Sequence, residues 1–343
     1  MESTVKNILI FFAVVLMFFV LQALSSLLKP LVLALLLAMI FQPLTAALIK
    51  KNMPKWLILP LIISITLLTV FGLVNIGIST GNEIMSQRDY MLDRLTIRLG
   101  DVLNAIGSVS GQTFDKQYFQ KEFMNLINSG WLTRAAGNIA GSISSFTGSF
   151  VMFALYFIFL MAGMSDYRKY LTYVVGKNNT KGINNVETIQ NSIYRYIITK
   201  TLINIFSALV ITVICMIFGI KFALFWGLLA FLFNFIPNFG SIFSIAMPIL
   251  MAVIQYDSFR FILIILLVLI VIQFSIGNFI EPKIIGNSLR INTVTVLFGL
   301  VFWGYIWGIA GMFLSVPLMV ILKLSLERSP SLSIVSRVMG YPD

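Results

Sequence analysis

Few residues of this chain combine a reactive or hydrogen-bonding side chain with an apolar setting. Glu281 ends the apolar run Phe261–Ile280, with Gln273 and Asn278 near its end and Gly277 four residues before the carboxylate. Lys200 sits at the start of another run, Leu202–Ile220, and Asn204 follows one helical turn later. Asn234, Pro237, Asn238, Gly240 and Ser241 interrupt a third run, Phe222–Pro248, and Gly304, Tyr305, Gly308 and Gly311 interrupt a fourth, Val294–Leu322. A carboxylate, an ammonium, amides and a hydroxyl can bind a polar solute or a cation inside a membrane, where an ionisable group is retained against a cost of about 3 kcal/mol. Each also has a structural explanation. Glu281 and Lys283 can mark the membrane interface, Lys200 can extend its ammonium to the headgroups, and the amides can cap half-helices. The residue types leave both open.

Other chemistries are excluded more firmly. The chain has no histidine and one cysteine, Cys215, inside an apolar span, so histidine-based catalysis, intramolecular disulfides and Cys/His metal sites do not apply. Its 13 acidic residues fall mostly in loops and form no carboxylate pair with a nucleophile, so no catalytic residue, cofactor or metal is assigned. No phosphate-binding GxxxxGK[ST] loop occurs, which argues against ATP-driven pumping. Trp56, Trp226, Trp303 and Trp307 are expected as interfacial anchors or packing residues.

The elements that must position these residues are set by where the apolar runs break. Pro237 removes a backbone donor and Gly240 permits a turn, and freed backbone groups need protein or water around them in lipid. The half Phe222–Ile236 reaches only about 22 Å, against about 30 Å of hydrocarbon. A re-entrant helical hairpin is therefore expected there, and a second one at Val294–Leu322, because paired interrupted segments in two halves mark a transporter's central site. Phe225-Trp226-Gly227-Leu228 echoes Leu297-Phe298-Gly299-Leu300, as expected of a repeat.

The rest of the chain supplies spans. Of its 343 residues 59% are hydrophobic and 11% charged, with a mean hydropathy of +0.96, a balance that places it in the bilayer. The net charge of +11 lies in short loops and reports topology; nucleic acid is not an expected partner. Residues 1–79 read as a three-span region (Asn7–Leu28, Leu31–Leu48 joined at Lys29-Pro30, and Leu57–Ile78). Residues 80–143, where Met91, Leu95, Leu99, Leu103 and Ile106 recur at helical spacing, read as an external helical domain with helices ending near Gly107 and starting near Phe119. Residues 144–200 hold a fourth span, Ser144–Met164, and an interfacial amphipathic helix carrying Ile183, Val186, Ile189, Ile193 and Ile197. Residues 201–343 form the transport region. The expected fold is an all-α polytopic membrane protein with about six spanning helices, two opposed re-entrant hairpins in an inverted repeat and a small external domain.

Four motifs in order, YIITKTLIN around Lys200, FWGLLAFLFNFIPNFG (225–240), GNFIEPKIIGNSLRIN (277–292) and GMFLSVPLMVILK (311–323), resemble the autoinducer-2 exporter family of bacterial membrane transporters. The match covers the C-terminal half closely and the N-terminal part by hydropathy and LALLLAMIFQPL (33–44). The resemblance implies a bacterial inner-membrane secondary transporter exporting a small polar solute such as autoinducer-2, and a functional role for Lys200 and for Glu281 within NxxEP. It implies sodium or lithium/proton antiport as an alternative, and a homo-oligomer, a pentamer being one form. A passive channel and a non-transport scaffold stay open beside these.

The lysine clusters at 50–55 and 168–181 place both termini in the cytoplasm and residues 80–143 outside. Reporter fusions at the termini should read cytoplasmic, and protease added from outside should cut only within 80–143. Cleavage of that segment from the cytoplasmic face alone would reverse the topology.

Overall fold

The computed structural model describes residues 2–110, 150–163, 173, 180–237, 239–285, 291–327 and 333–340. The expected helix from Phe119 and residue Asn238 lie outside the described residues. Every described element is helical: α1 Glu2–Ala23, α2 Ser25–Lys50, α3 Lys55–Ser86, α4 Arg88–Ser110, α5 Phe150–Gly163, α6 Thr180–Ile217, α7 Ala223–Phe233, α8 Phe239–Gln255, α9 Phe259–Ser275, α10 Glu281–Ile285, α11 Thr293–Trp307, α12 Ile309–Leu326 and α13 Ser333–Met339. Among these residues four helices are long and apolar enough to cross a membrane: Trp56–Ser86, Gln190–Ile217, Phe259–Ile284 and Ile309–Leu326. Val15–Ala23 and Ser25–Phe41 make a fifth if taken as one broken span.

The first two helices meet at Leu24, not at the expected Lys29-Pro30, and bend by 82°. Pro30 lies in the second turn of α2, which continues through it with the loss of one ladder hydrogen bond. The stretch at 183–197 feeds the following span with no break between them. No Gly or Pro interrupts residues 183–217, and they run as the single helix α6. Ile193 and Ile197 are buried in it, packed with Met39 of α2 and Val316, Met319 and Val320 of α12.

A long helix followed by a helical hairpin occurs twice. After α6 the chain reverses through Gly219 and Phe222, both at left-handed φ (68° and 63°), and α7 returns along α6. Gly227 lies against Thr212 and the Ala208 carbonyl, a contact that leaves no room for a Cβ. α7 and α8 are antiparallel, with Phe233 beside Phe243 and Asn234 bonded to Ser244. Their inner faces, with α6 and α9, bury Ile211, Cys215, Ala230, Ala252, Ile265 and Leu269, and Met91 of α4 closes one end. Arg94 and Arg98 of α4 both pair with Asp257 at the turn before α9.

The second hairpin breaks at one residue. Gly304 and Gly311, expected as part of the interruption, are helical, and Gly308 alone turns the chain at φ 67° and ψ −145°. Gly304 faces Met312 and Gly299 faces Met319, so α11 and α12 run antiparallel. Gly311 lies on the Trp303 carbonyl, where a side chain would collide with backbone. The tip rests on the α1–α2 bend, where the Trp307 indole donates to the Leu21 carbonyl at 3.0 Å.

Gly308→Ala forces a side chain into backbone geometry that glycine alone adopts freely and should cost about 1–3 kcal/mol. Gly311→Val should cost at least as much by overpacking. Gly72→Ala, inside α3 where a Cβ meets open space, should stabilise by up to about 1 kcal/mol. Thermal unfolding in detergent, followed by tryptophan fluorescence, orders the three.

Candidate functional site

α6 carries a polar stripe on one face. Lys200, Asn204 and Ser207 follow one another at spacings of four and three, so a helix places them in one row. All three are buried, at 6%, 1% and 0% exposure. Opposite them stand the tip of the first hairpin and the C-terminal end of α9.

The Lys200 ammonium lies 2.5 Å from Glu281 Oε1, with the lysine side chain 7% and the glutamate side chain 29% exposed. Lys200 thus points into the protein. Removing a charge from water costs several kcal/mol, so a pair in this position holds because each partner neutralises the other. Glu281 reaches α6 through a single wide turn. Residues Ile276–Ile280 form a π-helix between α9 and α10, closed by a hydrogen bond from the Glu281 N–H to the Ile276 carbonyl.

Next to the ion pair four neutral side chains, from α6, both arms of the first hairpin and α9, hydrogen-bond to one another. Asn234 Nδ2 donates to Ser207 Oγ at 2.9 Å, and Ser207 Oγ donates to Gln273 Oε1 at 3.1 Å. Gln273 Nε2 donates to Asn234 Oδ1 at 2.9 Å, closing a ring. Ser244 Oγ lies 3.1 Å from Asn234 Oδ1 and 2.7 Å from the Gly240 carbonyl, tying the tip to α8. The Asn204 amide, turned so that both ends face partners, accepts from the Phe235 N–H and donates to the Lys200 carbonyl, each at 3.3 Å. Buried polar groups are tolerated when paired in this way, and a closed network holds its members in one geometry.

The ion pair and the Asn204, Asn234 and Gln273 side chains border a cavity of about 190 Å³. Of the residues singled out in the sequence, Lys200, Asn204, Asn234, Pro237, Ser241, Gln273, Asn278 and Glu281 line it. Gly240 is buried just behind it, where a side chain would strike the Phe233 carbonyl. The second-hairpin residues are elsewhere: Gly304 and Gly311 lie in the α11–α12 contact, and Tyr305 is 83% exposed. The hairpins do meet, through Phe235 stacked on Phe313 of α12 at 4.3 Å between ring centres. Sequence reasoning missed Ser207, Ser244 and the π-turn. Ser207 was detectable as the third member of the Lys200–Asn204 stripe; Ser244 gains its role only when α8 folds back on α7.

A polar cavity walled by apolar helices, with an ion pair at its side, is a setting in which a membrane protein can hold a polar solute. The profile of the family described as "AI-2E family transporter" matches residues 7–331. The chain belongs to this family. It is similar to a provisionally named transport protein of Haemophilus influenzae, 27% identical over 92% of this chain and 90% of the relative. A similarly named protein of Borreliella burgdorferi is 29% identical over 91% and 84%. "AI-2 transport protein TqsA" of Escherichia coli is 27% identical over 89% and 87%. This AI-2E family member is accordingly a multi-pass helical membrane transporter.

Ser207→Ala leaves Asn234 Nδ2 and Gln273 Oε1 without their shared partner and should cost about 1–3 kcal/mol. Ser275→Ala, on the partly exposed side of α9, should change stability by less than about 0.5 kcal/mol. Thermal unfolding of the two purified variants checks the contrast; equal losses would show that the network carries no stability.

Proposed function

We infer that the cavity between α6, the first hairpin and the end of α9 is the site at which this protein takes up a small polar solute for secondary transport across the bacterial inner membrane. The observation that carries it is the Lys200–Glu281 pair set beside unspent amide and hydroxyl groups in a cavity of about 190 Å³. One cation and one anion line the space, so a neutral solute with both donors and acceptors suits it. Each of Asn234 and Gln273 has one N–H beyond those used in the network, and Ser241 adds a hydroxyl. The name of the Escherichia coli relative makes autoinducer-2, exported from the cytoplasm, the first solute to test.

Both hairpins are taken as re-entrant from opposite faces, within an inverted repeat of six spans. The first is supported by the 11-residue length of α7, about 16 Å, which is half the hydrocarbon thickness. The second is supported by the 15-residue α11 and by the position of its tip on the α1–α2 bend. A second function, exchange of sodium or lithium for protons at Glu281, is favoured by the carboxylate on the cavity wall. Against it stands Lys200, which already occupies one oxygen of that carboxylate and would have to yield to an incoming cation.

In proteoliposomes loaded with autoinducer-2 and given imposed pH and sodium gradients, the native protein should release the solute in a gradient-dependent way. Glu281→Gln should reduce this flux to the protein-free baseline while the purified protein stays monodisperse, and Glu281→Asp should retain part of it. Native flux in Glu281→Gln would make the residue an interface marker. Sodium-dependent proton movement with no solute release would transfer the site to the antiport reading.

A further inference from the structure

Gln273 and Glu281 both line the cavity although eight residues separate them. In an unbroken α-helix, at about 100° per residue, positions eight apart diverge by about 80°, so one of the two side chains would turn away. The π-turn changes that. A single wide turn absorbs one extra residue, and beyond it Glu281 behaves as if it were seven positions from Gln273, within about 20° of the same face. The i−5 hydrogen bond from Glu281 to Ile276 is the mark of that extra residue.

A cause for the wide turn lies one residue further on. Pro282 has no N–H, and in a regular helix its ring collides with the carbonyl four residues back, that of Asn278. Asn278 lies inside the π-turn, whose wider path carries that carbonyl off the α-helical position. Gly277 supplies no steric cause, since a Cβ there would meet open space. Phe279, by contrast, is 65% exposed on the outer side of the turn and lines nothing in the cavity.

We propose that Pro282 is a positioning residue: by holding the π-turn at Ile276–Ile280 it rotates Glu281 onto the Gln273 face and so delivers the carboxylate to Lys200. Granting that Glu281 acts in transport, Pro282 does so without touching solute. Its removal lets the helix relax to α-geometry and swings Glu281 by about 100°, away from the ammonium.

The test separates aim from function. The lipid-soluble carboxyl reagent dicyclohexylcarbodiimide is applied to membranes holding the full chain, and its adduct on the Glu281 peptide is measured by mass spectrometry; autoinducer-2 flux is measured in parallel. In the native protein the Lys200 contact shields Glu281. Pro282→Ala should raise the labelling rate severalfold and lower flux at least about tenfold, the scale of a misplaced reacting group. Pro282→Ala with Phe279 deleted removes the extra residue, restores the seven-residue spacing without a π-turn, and should return both readouts toward native. A residue needed only for folding would show no such rescue by a deletion. Should Pro282→Ala fail to insert, one alanine added after Ser275 in the native chain produces the same rotation and should raise labelling likewise. Native labelling in the rotated variants, or no rescue by the deletion, overturns the proposal. If labelling follows the predicted order while flux never depends on Glu281, the aiming role holds and the transport role of Glu281 is what fails.

Discussion

An ammonium and a carboxylate can stay together inside an apolar helix bundle only if the protein supplies what water would have supplied. The Lys200–Glu281 contact sets that condition, and much of the C-terminal half satisfies it. α6 continues without a break from Thr180 to Ile217 and so carries Lys200 well inside the protein. The end of α9 departs from regular geometry to bring the carboxylate across. With either partner alone, desolvation would dominate, and the site would persist only by admitting water or neutralising the remaining charge.

The neutral network beside the pair serves a different end. Asn234, Ser207, Gln273 and Ser244 come from α6, from both arms of the first hairpin and from α9, and their mutual hydrogen bonds close on themselves. Hydrophobic burial holds the four helices together without fixing register, whereas directional bonds between short side chains define one relative placement. The hairpin tip, whose own backbone makes only short turn bonds around Pro237, is thereby held at the cavity. Groups left over from the network face the cavity with fixed orientation, which lowers the ordering cost of binding a polar molecule.

The two hairpins are alike in outline and unlike in chemistry. The first meets the cavity through amides and hydroxyls; the second packs by close approach of its glycines and by aromatic contacts, with Trp307 bonded to the α1–α2 bend. Phe235 on Phe313 joins them directly, so displacement of one tip must disturb the other or break an aromatic stack. Asn292 ties the entrance of the second hairpin to the C-terminal helix: its Oδ1 accepts from the Thr295 N–H at 2.8 Å while its Nδ2 donates to the Val338 carbonyl at 2.7 Å.

Composition and hydropathy alone establish a helical membrane protein, since 59% hydrophobic residues cannot be hidden in a soluble domain of this length. The broken runs were visible because Pro237 and Gly308 act through their own backbones, and local chemistry of that kind needs no neighbours to be read. Seven of the residues chosen for their polarity line the cavity for a related reason: a polar group in an apolar run must find a partner. Three features required the tertiary structure. The α1–α2 bend sits at Leu24 because packing against the second hairpin outweighs the weak signal of Lys29-Pro30 near a helix start. Gly304 and Gly311 belong to helices because their small size answers a partner helix, and a sequence shows that a residue is small without showing what approaches it. The pairing of Lys200 with Glu281 depends on a rotation of about 100° at the π-turn, a change of one residue in helical register that hydropathy and spacing do not record.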